Sequence, residues 1–506
     1  MKHLPWRMAL AVVAMLGAVA PAHAHVGNKD IFEQVEAGPY KLFVTIRPPD
    51  VIPGVAGIEV RSSGALLDSI AVTPTPLTGE ASKHPPSSDA LVRSGADPAF
   101  FTGSLWLMAS GSWQVRFAVD GGAGKATASV PVPAVPLSIL PMQRPLGIML
   151  AVLGLMLMIG MVGIVAAAVR ESRLEPGMAP NAARKRRALV AGAVTLVVVA
   201  LMVYGGDRWW RVEAAGYAGD VYQPLTLTPK LAGNTLNLKI GRYDANDERR
   251  SRSRSNDDLL PDHGHLMHLY VIRQPEMDAV FHLHPSRLDQ GHLAMTLPTM
   301  PPGKYQLYAD IVHANGFPET LTANLTVPPG LAPSPLAAED ASASPPALSA
   351  GLLGTKYRLP DGYTMVWDRP TQLTAETAYA LNFRLLNAAG KPATDVEPYL
   401  GMAGHAAFVK TDGTAFAHTH PEGSAAMPAM MLANGTPPDE GMSSMLMGGM
   451  DSNSMPGLDM GGAATPIAPV VEFPYGFPSA GRYRVFIQMK HGGVVETGVF
   501  DANVRQ

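Results

Sequence analysis

Two uncharged apolar runs, Leu146–Val169 and Ala188–Tyr204, constrain this chain more than any other feature. About 20 apolar residues in helical conformation cross a hydrocarbon core of ~30 Å. Only a structure that pairs its own backbone groups can do so, which makes both runs transmembrane helices, residues 146–169 and 188–204. Trp209 and Trp210 follow the second run as interfacial aromatics. Arg170, Arg173, Arg184, Lys185, Arg186 and Arg187 outnumber Glu171 and Glu175 between the runs. That excess places loop 170–187 in the cytoplasm. The N-terminus gives the same topology. Lys2 and Arg7 precede the apolar stretch Met8–Ala20, and Ala22-His23-Ala24 fits a small-x-small cleavage site. Residues 1–24 therefore read as an export signal and residues 25–140 as exported. Two helices are too few to form a solute pathway, which argues against a transporter.

The 506 residues leave room for three further domains. With 39 basic and 42 acidic residues the charge is nearly balanced, and no nucleic-acid-binding surface is expected. The chain has no Cys, so thiolate metal chemistry and disulfides are excluded. Its 15 His and 27 Met remain as ligands. Residues 25–140 read as a β-sandwich: Tyr40–Arg47, Gly57–Arg61 and Trp113–Val119 are β-branched and aromatic runs separated by Pro and Gly. Trp106 and Trp113 are its expected core residues.

An internal repeat follows the second helix. The first copy, 214–328, carries His268, the run Phe281-His282-Leu-His284-Pro285, Gly303-Lys-Tyr305 and His313. The second, 353–506, carries His405, the run Phe416-Ala-His418-Thr-His420-Pro421, Gly481-Arg-Tyr483 and His491. Residues 329–352, rich in Pro, Ala and Ser, read as a linker. The fold class is thus mainly β, with three immunoglobulin-like β-sandwich domains and two transmembrane helices.

Asp412-Gly413 is a two-residue hairpin signal. A hairpin there sets His405 opposite His420, with His418 on the same strand face. The first copy has a turn one residue longer and sets His268 opposite His284, with His282 diagonal. Opposed Cβ atoms lie ~5 Å apart, close enough for imidazoles to share an ion. His313 and His491, on a later strand, are candidate fourth ligands, and His263 and His265 are either auxiliary ligands or solvated loop residues. Without an ion, the same histidines would be hydrogen-bonded residues on a sandwich face.

The second copy also carries a Met-rich insert, 427–462, which includes Met427, Met430, Met431, Met442, Met445, Met447 and Met450. Spaced by Gly, Ser, Pro and Asp, it reads as loop-like, with thioethers that select Cu(I). Imidazole suits Cu(II), so copper is the expected cofactor, with zinc the alternative. After cleavage His25 would be the N-terminal residue, able to chelate copper through amine and imidazole, with His84 the nearest further candidate.

The stretch Leu400-Gly-Met-Ala-Gly-His405, with Phe416–Pro421 and Phe477–Gly493, resembles a family of bacterial secreted proteins whose members carry a heavy-metal-associated label. The resemblance covers roughly residues 395–505. It implies an exported β domain with metal ligands at His405, His418 and His420. The N-terminal β domain with its following helix also resembles small membrane-tethered immunoglobulin-like domains associated with copper and oxidase assembly.

The combined expectation is a non-enzymatic copper-binding protein for sequestration, resistance or delivery. It would sit in the bacterial inner membrane with its large domains in the periplasm. Candidate partners are the membrane, the metal ion and copper-exporting or oxidase-assembly membrane proteins. The rival expectations are a non-catalytic immunoglobulin-like scaffold of a membrane complex, and a histidine-brace copper oxidase or oxygenase using His25 and His84. Topology is testable first. Reporter fusions after residues 140 and 215 should be active only outside the cytoplasm, and one near residue 180 only inside. A cytoplasmic signal from the fusion at 215 would overturn the two-pass topology.

Overall fold

The computed structural model describes residues 30–175, 177–241, 255–436 and 467–506. The export signal, His25, Met442, Met445, Met447 and Met450 lie outside the described residues. The chain is mainly β and divides into two units, a β unit and a helical unit built around residues 135–222.

In the helical unit, Arg144–Glu171 and Ala182–Gly219 form an antiparallel pair of helices, both longer than their apolar runs. At 1.5 Å per residue, 38 residues extend well past a ~30 Å core, so the second helix carries Trp209 and Trp210 beyond the apolar run. Gly192 lets the helices approach: a Cβ there would meet Ala166 and Val162 at 3.6 Å. Leu155, Met156, Leu157, Leu201 and Met202 are exposed, as on a surface that hydrocarbon covers.

The β unit holds three sandwiches. In the N-terminal one, a five-stranded sheet containing Ile31–Ala37 faces a four-stranded sheet containing Gly124–Ala134. Strand alternation there contradicts one expectation. Leu105 and Leu107 point inward, so Trp106 points out and is 58% exposed. Trp113 is only half-buried, its indole N–H donating to Ala109 O at 2.8 Å.

Each repeat pairs a four-stranded sheet with a larger one. The larger sheet of the first copy contains His268–Gln274 between Val280–Leu283 and Gly303–His313. That of the second contains His405–Lys410 between Phe416–Thr419 and Gly481–His491. In both copies these strands are buried on both faces. Leu269, Val271, Phe281 and Leu283 fill the core of the first copy, and Ala406, Phe408 and Ala417 that of the second. The alternate residues, Tyr270, Ile272, Val280 and Tyr308 against Ala407, Val409, Phe416 and Phe486, form a separate core between the copies. Tyr308 stacks on Phe416 with ring centroids 4.3 Å apart.

Residues 329–352 are not a plain linker. Ala341–Ala343 adds a strand beside Val280–Leu283, with Asp340 buried at its start. The start of the Met-rich insert also departs from expectation. Met427–Ala433 is a short helix that packs Ala429 and Ala433 against Leu77 of the N-terminal sandwich. Its alanines and Leu432 give it an apolar face, and Pro428 suits a first helical turn.

The N-terminal sandwich is joined to the second copy through the edge strand Ile31–Ala37. Gln34 N–H donates to Glu422 O at 2.6 Å, and Glu33 bridges to Gly423. The Glu33 side chain is fully buried there, its Oε1 accepting from Ala425 N–H at 2.6 Å. Burial raises its pKa to about 8 from 4.5, opposed by the Ala425 hydrogen bond. The folded state thus keeps a proton that the unfolded state releases above 4.5. Stability should fall as pH rises from there to about 8 and then level off. Glu33→Gln should flatten this dependence of the unfolding midpoint. An unchanged slope in the variant would show that Glu33 does not carry it.

Candidate metal centre

The larger sheets of the two copies bring eight histidines together at one end of the shared core. Hairpin register does much of this. Tyr270 pairs with His282 and Ala407 with His418, which puts His268, His282 and His284, and likewise His405, His418 and His420, on the faces that meet. His263 and His265 join from a tight turn. Asp262 and His265 exchange backbone hydrogen bonds of 2.8 and 2.9 Å across His263 (φ +50°) and Gly264 (φ +87°). Two positive φ values in succession define a type I′ turn, and a histidine held there is strained backbone beside the cluster.

Ring centroids across the copies are close: His263 to His420 is 4.8 Å, His268 to His418 is 5.1 Å and His282 to His418 is 5.5 Å. Two triads have ligand nitrogens within 4.8 Å of one another: His268, His282 and His284, and His263, His405 and His420. Three nitrogens bound to one ion at about 2.1 Å lie ~3.4–3.6 Å apart, so each nitrogen of a triad would move inward by less than ~1 Å.

The two copies support each other's histidines crosswise. Asp310 and Gln488 hold equivalent places, register partners of His268 and His405 respectively. His282 Nδ1 lies 2.8 Å from Gln488 Oε1 of the other copy, and His418 Nδ1 lies 3.3 Å from Asp310 Oδ2. Thr320 Oγ1 donates to Asp310 at 2.5 Å, as Gln488 Nε2 reaches Thr497 Oγ1 at 3.5 Å. The internal repeat is therefore arranged about an approximate two-fold axis through the cluster.

With oxygens as acceptors, these contacts select one set of tautomers for the first triad. His282 Nδ1 donates to Gln488 Oε1, which leaves Nε2 as a lone pair. His268 Nε2 donates to the Asp262 carbonyl at 3.1 Å, which leaves Nδ1 as a lone pair. These two lone pairs face each other at 3.1 Å. His284 Nδ1 donates to Asp340 Oδ1 at 3.0 Å, and its Nε2 has no protein partner. Three lone pairs thus converge, each ring oriented from behind by an oxygen, the arrangement seen behind metal-bound imidazoles. In the second triad both ring nitrogens of His405 lack protein partners, as does His418 Nε2 beside it, and no side chain pairs with the His420 ring. Each buried unpaired polar atom costs about 1–3 kcal/mol.

Burial holds the rings neutral and ready to ligate. It lowers His282 to about 3 and His263 and His420 to about 4, and pushes His268, His284, His405 and His418 well down, aided by the neighbouring histidines. Burial also raises the nearby carboxyls, Asp310 to about 7 and Asp340 to about 6.

The other expected ligands lie elsewhere. His313 and His491 are three residues, an odd number, beyond Asp310 and Gln488, so strand alternation turns them to the opposite face. His313 Nδ1 meets Asp258 at 2.8 Å and Nε2 meets Glu319 at 2.9 Å. His491 lies between Asp361 and Asp395 at 3.2 and 3.6 Å and stacks on Tyr363. Neither serves as the fourth ligand expected. His84 is exposed, 3.9 Å from Glu80. Sequence reasoning missed Asp262, Tyr399 and Gln488; only the equivalence of Gln488 to Asp310 in the aligned copies would have flagged one of them.

The sequence model of a domain family of unknown function (DUF8832) matches residues 232–328 and 357–506, which contain all eight histidines. No curated protein matches the chain. Among solved structures, a tetra-tandem repeat from the extending region of a large adhesion protein is 8% identical, with a TM-score of 0.16 over 90% of this chain and 71% of that one. A bacterial ice-binding adhesin is 8% identical, with a TM-score of 0.15 over 93% and 99%. Escherichia coli alpha-2-macroglobulin is 10% identical, with a TM-score of 0.19 over 94% and 35%.

His313 offers a control on this assignment. Burial opposes its charge, but the hydrogen bonds to Glu319 and Asp258 outweigh burial and raise its pKa. Its ion pairs therefore stabilise the fold fully below 6.5 and are lost as pH rises through the raised value. His313→Gln should lower the unfolding midpoint more near pH 6 than near pH 9 and leave metal content unchanged. Loss of bound metal in this variant would put His313 back among the ligands.

Proposed function

We propose that this protein is a membrane-anchored, extracytoplasmic copper-binding protein whose two β repeats together hold two ions at their junction. The observation that carries the reading is the buried pair His268 Nδ1 and His282 Nε2, 3.1 Å apart, with the other nitrogen of each ring set against an oxygen acceptor. Neutral groups in that orientation repel, and an ion between them reverses the sign of the interaction. Two triads suggest two ions, with His418 between the triads and His265 against His284, their centroids 4.0 Å apart, as further ligands.

Copper is favoured over zinc by the ligand inventory of the whole chain, which offers imidazole and thioether but no thiolate. The expected placement is the bacterial inner membrane with the β unit in the periplasm, supported by the export signal and the basic loop between the helices. Sequestration, resistance or delivery all fit a buried site with no residue assigned to bond breaking. A scaffold role would use the core between the copies equally well, but it leaves the unpaired imidazole nitrogens without a purpose.

The test is elemental analysis of the full chain purified in detergent after loading with Cu(II) or Zn(II) and dialysis. Two ions per chain are expected, with copper retained over zinc in competition. His282→Ala with His284→Ala should remove one ion, and His405→Ala with His420→Ala the other. Loading should also raise the unfolding midpoint, since ligand at 1,000 times its Kd contributes about 4 kcal/mol. Fewer than one ion of either metal per chain would overturn the proposal and favour the scaffold.

A further inference from the structure

The approximate two-fold axis exposes one place where the copies differ in chemistry. In the first copy His265 closes the turn Asp262-His263-Gly264-His265, three residues before His268. In the second copy the matching turn is Tyr399-Leu400-Gly401-Met402, three residues before His405. Its backbone is the same: Leu400 and Gly401 have φ +51° and +82°, and Tyr399 and Met402 exchange hydrogen bonds of 2.8 and 3.1 Å. Met402 therefore stands where the first copy has an imidazole stacked on His284, and the counterpart of His284 is His420.

Met402 and His420 line the same cleft, of about 650 Å³, between the second copy and the N-terminal sandwich. Met427, Met430 and Met431 line it too, from one helix. Their spacing of three and four residues keeps them on one face. The helix is tied to the cluster, since Met427 N–H donates to Asp262 Oδ1 at 3.1 Å. His420 is 4% exposed; its ring meets the Ala425 backbone, and no side chain pairs with its nitrogens. Glu36, Glu422 and Glu472 also line the cleft, with Lys41 paired to Glu36 at 3.4 Å. Met431, 2% exposed, both fills space and presents its side chain at the cleft wall. Filling alone does not account for Met402 and Met430, which are partly exposed on an open cleft beside His420.

We propose that this cleft is the port through which the cluster receives Cu(I), held first by the thioethers of Met402, Met430 and Met431 and then passed to His420. The port rests on the reading of the cluster as a copper site. The transfer is a ligand exchange: copper–sulfur bonds are replaced by a copper–nitrogen bond, and no electron moves. Thioether donors select the soft monovalent ion over zinc.

The experiment compares the full chain in detergent with the variant Met402→Leu, Met430→Leu, Met431→Leu, a volume-conserving change. Ag(I) serves as a redox-inert probe in competition with a chelator, and anaerobic Cu(I) loading of the cluster is followed in time by elemental analysis after rapid desalting. The variant is expected to bind its tightest Ag(I) at least tenfold more weakly and to load Cu(I) at least tenfold more slowly. Its final copper content and unfolding midpoint should match those of the unchanged chain. Unchanged Ag(I) affinity and loading rate would overturn the port while leaving the cluster intact. A chain that takes no copper into the cluster at all would instead overturn the proposed function, and the port with it. Single Met430→Leu and Met402→Leu variants cover the case in which the triple variant unfolds.

Discussion

The structure depends on two sheets, one from each copy, being buried on both faces. A strand with one wet face alternates buried and exposed residues, whereas the first five residues of His268–Gln274 and of His405–Lys410 are all buried, four of them apolar in each. Each sheet therefore needs a second partner, and the copies supply it to each other through Tyr270, Tyr308, Ala407 and Phe416. This shared core positions the histidines as well. The strands that carry Tyr270 and Ala407 toward the other copy carry His268 and His405 on the same face, two residues earlier. An imidazole at the end of a dry interface loses water as soon as the sheets close, so the packing that assembles the cluster also makes its rings neutral.

Much of this was legible in the sequence because strands and hairpins obey simple arithmetic. The turn at Asp412-Gly413 set the register of the second hairpin, and Ala406 opposite Thr419 is the pairing it requires. The histidines grouped within each copy by the same argument. Their meeting across copies was not legible, because period-two patterning says which residues share a face and not what that face meets. The five-residue run His405-Ala-Ala-Phe-Val409 held the clue, since a strand apolar on both faces needs covering twice. Trp106 failed as a core residue for a related reason: its neighbours Leu105 and Leu107 are the inward pair, and aromatic size alone does not set facing. Residues 329–352 looked like a linker by composition, yet Ala341–Ala343 pairs as an edge strand and carries Asp340 to His284. Small residues suit an edge that must pass close to a histidine-bearing strand.

The carboxyls around the cluster complete its electrostatics. Asp262, Asp310 and Asp340 are buried or nearly so, and burial raises the pKa of each. Beside neutral imidazoles, a protonated carboxyl is the less costly form. A divalent ion held by either triad changes that balance, because a nearby positive charge favours the carboxylate over the acid. Proton release and ion uptake then become one event, as expected where ligands and supporting groups share a dry site. Asp310 and Gln488 make this unequal between the halves. At equivalent places one copy offers a group that can carry negative charge and the other an amide that cannot. Asp340 behind His284 and Asp262 beside His263 give each half a carboxyl as well, so the difference between the halves lies in the group that meets His282 and the group that meets His418. The two copies thus keep one backbone arrangement, in their hairpins and in the turns at His263 and Leu400, while single residues on the neighbouring strand make their chemistry differ.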